Sequence, residues 1–167
     1  DLTGLSWQTD IPGTRGGIID LSTSDFYGFR VLGGGIVPGS VVLLAGEPGV
    51  GKSTLLLQIA QDMATAGRSV LYVSGEESPH QIKLRSQRLG FAGKGIFLLS
   101  ETDVDVVVDR LEEHRPGLAI IDSVQTLYSR DTPSGPGSVA QIREAGLRLM
   151  RWSKARQTPV FLAGHVT

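Results

Sequence analysis

From Val41 onward the chain alternates short apolar runs with stretches whose apolar residues recur every three or four positions, and that alternation predicts strands separated by helices. A first strand is expected over 41–45. Leu55, Leu56, Ile59 and Met63 then repeat at helical spacing, on a helix that runs to about Ala66 and is ended by Gly67. A second strand spans 70–74. The next helix opens at Ser78, where Ser78-Pro79-His80-Gln81 has the pattern of a capping box with proline at the first helical position. A strand near 96–99 precedes a helix from about Asp103, with Val104, Val107, Val108 and Leu111 on one face and a stop before Pro116. Residues 118–122 form another strand, a polar loop covers 129–137, a helix of about 18 residues starts from Ser138, and a last strand covers 160–163. Strands and helices in this order imply an α/β fold, a mostly parallel sheet with helices on both faces. A simple βαβ unit would set the strand 70–74 beside the strand 41–45. The first 40 residues are different, with Pro12-Gly13, Gly16-Gly17 and Gly33-Gly34-Gly35 but no sustained period, and are expected to be loosely ordered.

Between the first strand and the first helix lies Gly46-Glu47-Pro48-Gly49-Val50-Gly51-Lys52-Ser53, which meets the pattern G-x-x-x-x-G-K-[ST] at every fixed position. Glycines at this spacing let successive backbone N–H groups turn inward around phosphates at a helix N-terminus. Lys52 then reaches the β- and γ-phosphates, and Ser53 ligates Mg²⁺. With Thr54 beside it, this stretch is the predicted nucleotide-binding loop, and the strand and helix flanking it are the context the motif requires. The expected cofactors are ATP and Mg²⁺.

Two sets of acids fall at strand ends. Asp122 closes an apolar strand about 70 residues after the loop, where a P-loop nucleotidase keeps the carboxylate that orients Mg²⁺ through its water shell; an aspartate in that place also caps turns. Ser123 serves either the metal's surroundings or the turn. Glu76 and Glu77 follow the strand 70–74, and a carboxylate there faces the nucleotide crevice, able to orient the water that attacks the γ-phosphate. The alternative is that both acids simply favour the positive end of the following helix. Glu76 is the candidate catalytic residue, with Glu77 as its substitute.

Composition narrows the rest. The 167 residues, 40 % hydrophobic, suffice for one core, and a net charge of −1 gives no whole-chain preference for nucleic acid. The absence of cysteine removes disulfides, thiol catalysis and cysteine-ligated zinc. No apolar run approaches the roughly 18 residues of a membrane span and no signal peptide is visible, which predicts a soluble, cytoplasmic protein with no membrane partner. Arg143, Arg148, Arg151, Lys154 and Arg156 spread around the long helix and read as a solvated face, as do Lys83, Arg85 and Arg88 on the helix after Glu77. Trp7 and Trp152 are expected to pack rather than to stack on bases.

Five ordered motifs resemble one family. They are Val31-Leu32-Gly33-Gly34-Gly35-Ile36-Val37-Pro38-Gly39-Ser40 before the loop, Ser74-Gly75-Glu76-Glu77-Ser78, Ile121-Asp122-Ser123-Val124-Gln125-Thr126, Pro136 to Glu144, and Ala163-Gly164-His165-Val166-Thr167. Residues 31–167 resemble the ATPase core of the bacterial RadA (Sms) family of RecA-type DNA repair proteins. The resemblance implies a RecA-like P-loop NTPase fold and a homo-hexameric motor that moves on single-stranded DNA beside a RecA-type recombinase. It implies that the segment from about Thr126 to Ser138 is a DNA-binding loop with Arg130 as its cation, and that His165 senses the γ-phosphate and counts among the catalytic residues.

The departures carry expectations too. Ahead of Val31, Tyr27-Gly28-Phe29-Arg30 replaces the family's Glu-Leu-Asp-Arg, so residues 1–30 are set apart as an atypical glycine-rich segment. Family members add a four-cysteine zinc module, a Lys-Asn-Arg-Phe-Gly motif after the core and a Lon-protease-like domain, so this chain is expected to be a fragment carrying the core. Other readings are a replicative helicase or clock-type ATPase of the same superfamily, or a nucleotide-binding assembly module without turnover. A small-molecule P-loop kinase lacks support, because no lid-like arginine cluster is evident.

Overall fold

The computed structural model describes residues 35–165, and the leading segment with Trp7 lies outside them. Five strands, β1 (Val41–Gly46), β2 (Val70–Ser74), β3 (Ile96–Ser100), β4 (Leu118–Asp122) and β5 (Val160–His165), form one sheet in the order β1-β5-β4-β2-β3. All four pairings are parallel. The connecting helices are α1 (Lys52–Thr65), α2 (Pro79–Arg88), α3 (Val104–His114) and α4 (Val139–Arg156), with a short 3₁₀ turn at Val124–Thr126.

The expected neighbourhood of β1 and β2 does not hold: β5 and β4 lie between them. Burial follows that order. Every residue of β2 and β4 is buried, as are the first five of β5, whereas β1 and β3 are half-exposed. Val41 to Ala45 and Ile96 to Leu99 are as apolar as the central strands, so local hydrophobicity does not separate centre from edge; the strand order rests on what packs around each strand.

Side chains alternate across the sheet into two cores. Tyr72, Ile120, Phe161 and Ala163 face α1 and α2, packing on Leu56, Ile59, Met63 and Ile82 together with Ile36 from the approach to β1. Leu71, Val73, Ala119, Ile121 and Leu162 face α3 and α4, packing on Val107, Leu111, Leu149 and Trp152. Trp152 is thus a packing residue, 5 % exposed.

Local chemistry sets the helix ends. Ser78 and Gln81 form the capping box read from the sequence, with Pro79 in the first turn. Asp103 caps α3 by accepting from Asp105 N, and Ser138 caps α4 by accepting from Gln141 N. The helix α3 ends in a left-handed Arg115 (φ 44°) just before Pro116, where proline forbids continuation.

The loop between the 3₁₀ turn and α4 is polar, yet it is fastened from within. Gln141, 2 % exposed, donates to the carbonyls of Ser129, Thr132 and Ser134 at 3.1, 3.0 and 2.7 Å and accepts from Ser129 N at 2.7 Å. Arg148 joins the same region by ion pairs to Asp105, Asp131 and Glu144, which hold its guanidinium well above the usual range. The expectation that Arg148 belongs to a solvated face is therefore corrected: acids from α3, the loop and α4 converge on it. Replacing Gln141 by alanine takes the partner from the Ser129 N–H and from the carbonyls of Thr132 and Ser134, and is expected to cost about 3 kcal/mol of stability, read as a lower midpoint in guanidinium unfolding.

Candidate nucleotide site

Because every strand is parallel, all five C-terminal ends lie along one edge, and register decides which residues meet there. Gly46 pairs with His165, and Ser74 with Asp122. Within a strand of period two, Asp122 shares a face with Ile120, and His165 with Phe161 and Ala163, the face on which α1 packs.

The loop from Gly46 to Ser53 crosses from β1 to α1. Gly49 and Gly51 hold φ of 80° and 101°, and a Cβ at either would meet nothing within 4 Å, so these glycines serve conformation and border open space. Gly51 caps α1 without a side-chain acceptor, leaving the first N–H groups of the helix to an incoming anion. Glu47, Pro48 and Val50 are exposed, and Ser53 and Thr54 are half-buried in the first turn of α1. Lys52 is 7 % exposed and folds back along the loop, donating from Nζ to the carbonyls of Gly46 and Glu47, both at 2.7 Å. Those bonds fasten the ammonium to the first two residues of its own loop.

The structure brings Glu76 and His165 together. Ser123 Oγ donates to Glu76 Oε1 at 3.0 Å, and His165 Nε2 lies 3.4 Å from the same oxygen. Glu76 reaches this place because Gly75 carries no side chain: a Cβ there would stand 2.2 Å from Thr126 Oγ1 and 2.5 Å from Thr126 Cβ. Gly75 N donates to Asp122 O at 3.3 Å and extends the ladder one residue past β2. Gln125 Nε2 donates to His165 O at 3.1 Å, tying the end of β5 to the 3₁₀ turn.

Glu77 turns the other way. Its amide donates to Ser74 Oγ at 3.0 Å, and its carboxylate pairs with Arg85 of α2. Neither acid, then, merely decorates a helix terminus, and Arg85 is engaged rather than solvated. Arg130 stands apart from the strand-end cluster, 73 % exposed and 2.8 Å from the buried carboxylate of Asp103, whose charge holds the guanidinium above its usual range.

Asp122 is buried, and its Oδ2 accepts from Tyr72 Oη at 2.7 Å. Burial first, and then the charge of Asp122, push the Tyr72 phenol well above the usual range, so its hydroxyl acts as a donor. The roles of Tyr72 and Ser123 toward these acids are not visible in the motifs. A tyrosine inside an otherwise aliphatic strand, two positions before the strand end, is the one signal the sequence offers.

The chain is similar to known proteins in family and in fold. A family model described as an AAA domain matches residues 29–167. The chain is 49 % identical over 138 residues to the DNA repair protein RadA of Bacillus subtilis and 51 % identical over 138 residues to that of Halalkalibacterium halodurans. Each match covers 83 % of this chain and 30 % of the relative, so the chain spans less than a third of the curated relatives it matches. Among solved structures, a KaiC-like protein from the archaeon Pyrococcus horikoshii superposes with a TM-score of 0.72 at 19 % identity, covering 89 % of this chain and 70 % of that one, a likeness of fold. A family match over residues 29–167, with about half of the aligned positions identical to RadA proteins, means that the chain belongs to the AAA domain family and is a RecA-like P-loop core of the RadA type.

Proposed function

We propose that this chain is a Mg²⁺-dependent ATPase core that works on single-stranded DNA in recombinational repair, as a branch-migration motor. The observation that carries the reading is the convergence of the Gly46–Ser53 loop, Glu76, Asp122 and His165 on one edge of a parallel sheet. Open space beside Gly49 and Gly51 and the uncapped start of α1 suit a triphosphate. Among the described residues no group of three or more His, Asp or Glu is placed to hold a metal unaided. Ser53 and Asp122 instead suit Mg²⁺ held jointly with nucleotide phosphates. When bound, Mg²⁺ would neutralise charge on the β- and γ-phosphates.

In this reading the residues divide the work by position. Lys52 exchanges its two loop carbonyls for phosphate oxygens and opposes charge developing on the leaving group. Glu76 accepts a hydrogen bond from the attacking water and aims it, while Ser123 keeps the carboxylate from rotating away. His165, beside Glu76 at the end of β5, senses the γ-phosphate. Glu77, already paired with Arg85, supports α2 rather than the water.

DNA contact falls to the loop after the 3₁₀ turn. Arg130 is exposed, and a DNA phosphate can replace Asp103 as its partner. Relatives named as DNA repair proteins support a substrate of that kind. A homo-hexamer working beside a RecA-type recombinase, in the cytoplasm, completes the proposal for the longer protein; no helix among the described residues is long and apolar enough to cross a membrane.

Three outcomes are expected. Glu76→Gln should lower phosphate release from Mg²⁺-ATP at least about 100-fold while fluorescent-nucleotide affinity stays within about twofold; loss of binding instead would make Glu76 a scaffold residue. Gly75→Ala should lower kcat roughly tenfold or more, because the new methyl group must push Thr126 or displace Glu76, with little change in nucleotide affinity by the same assay. Arg130→Ala should weaken single-stranded DNA binding and reduce the slope of log affinity against log salt by about 1, measured by fluorescence anisotropy across a salt series.

A further inference from the structure

Tyr72 occupies the middle of β2 between Leu71 and Val73, 1 % exposed, in the core that α1 covers. Packing at such a position is met by a ring alone. A buried hydroxyl adds a desolvation cost unless it is partnered, so its presence there calls for a reason. Its partner is Asp122 Oδ2, 2.7 Å away on the neighbouring strand.

The sheet explains how the two meet. Tyr72 pairs with Ile120 and Ser74 with Asp122, so the tyrosine lies one step of the pleat below the aspartate on the same face, and its ring spans the difference. An aspartate at a strand end otherwise turns freely about two bonds. With Oδ2 bound to the phenol, that rotation is stopped and the second oxygen remains for the crevice. Metal-oriented carboxylates elsewhere owe affinity to partners of this kind.

We propose that Tyr72 is a positioning residue for the metal site, its hydroxyl locking Asp122 in the orientation that receives the water shell of Mg²⁺. The proposal rests on the reading of Asp122 as the acid that orients the metal. It assigns Tyr72 no contact with nucleotide or metal.

The test is a Mg²⁺ titration of fluorescent ATP-analogue binding to the full chain, for the unaltered protein, Tyr72→Phe, Asp122→Asn and the double variant, with thermal unfolding of each. Tyr72→Phe keeps the ring and removes only the hydroxyl. It should raise the Mg²⁺ concentration for half-maximal effect about tenfold, leave affinity in chelator unchanged, and add nothing once Asp122 is asparagine. A shift in Asp122→Asn without one in Tyr72→Phe overturns the proposal and leaves the role of Asp122 standing. No shift in either overturns the reading of Asp122 as well. If Tyr72→Phe lowers affinity equally with and without Mg²⁺, and does so again in the Asp122→Asn background, the hydroxyl serves packing and the proposal fails.

Discussion

Register in a parallel sheet governs everything else in this domain. Pairing Gly46 with His165, Ser74 with Asp122 and Ile121 with Leu162 sets His165 two residues past the level of Asp122, the same two by which Glu76 follows Ser74, so groups distant in sequence arrive side by side. A shift of one residue in β4 would turn Asp122 to the opposite face, where Leu71 and Ile121 pack against α3 and α4, and bury a charge among aliphatic side chains. The hydrophobic alternation that builds the two cores is therefore the same device that aims the acids. Stability and site geometry are not separable here.

Much of this is legible in the amino-acid sequence alone. The glycine-lysine loop reads directly because its chemistry is local: backbone conformation, one ammonium and one helix start, all within eight residues. Helix boundaries at Ser78, Asp103, Pro116 and Ser138 are readable for the same reason, each being fixed by a side chain within a turn of the end it sets. Asp122 is readable as the acid closing an apolar run.

Strand order is not. Whether a strand sits at the centre or the edge depends on what packs on both its faces, and nothing within Val41–Gly46 announces that β5 rather than β2 will lie beside it. The same applies to the arginines. Arg148 looks like any cation on a long helix until α3 and the loop bring Asp105 and Asp131 to it, and Arg85 looks solvated until Glu77 turns back onto α2. The bond from Tyr72 to Asp122 belongs to this class as well, since the two residues lie on different strands and each alone has a simpler explanation.

The place of Lys52 has a consequence for the loop that carries it. A buried ammonium whose partner leaves would be an isolated charge in a poorly solvated setting, and that penalty would oppose departure of any ligand it binds. Here two carbonyls of its own loop, from Gly46 and Glu47, stand ready at 2.7 Å. The cation is thus not left bare, because its own loop supplies the acceptors that burial demands. The same two bonds clasp the loop from inside, so the residue that follows its last glycine also fixes the curve that the glycines permit.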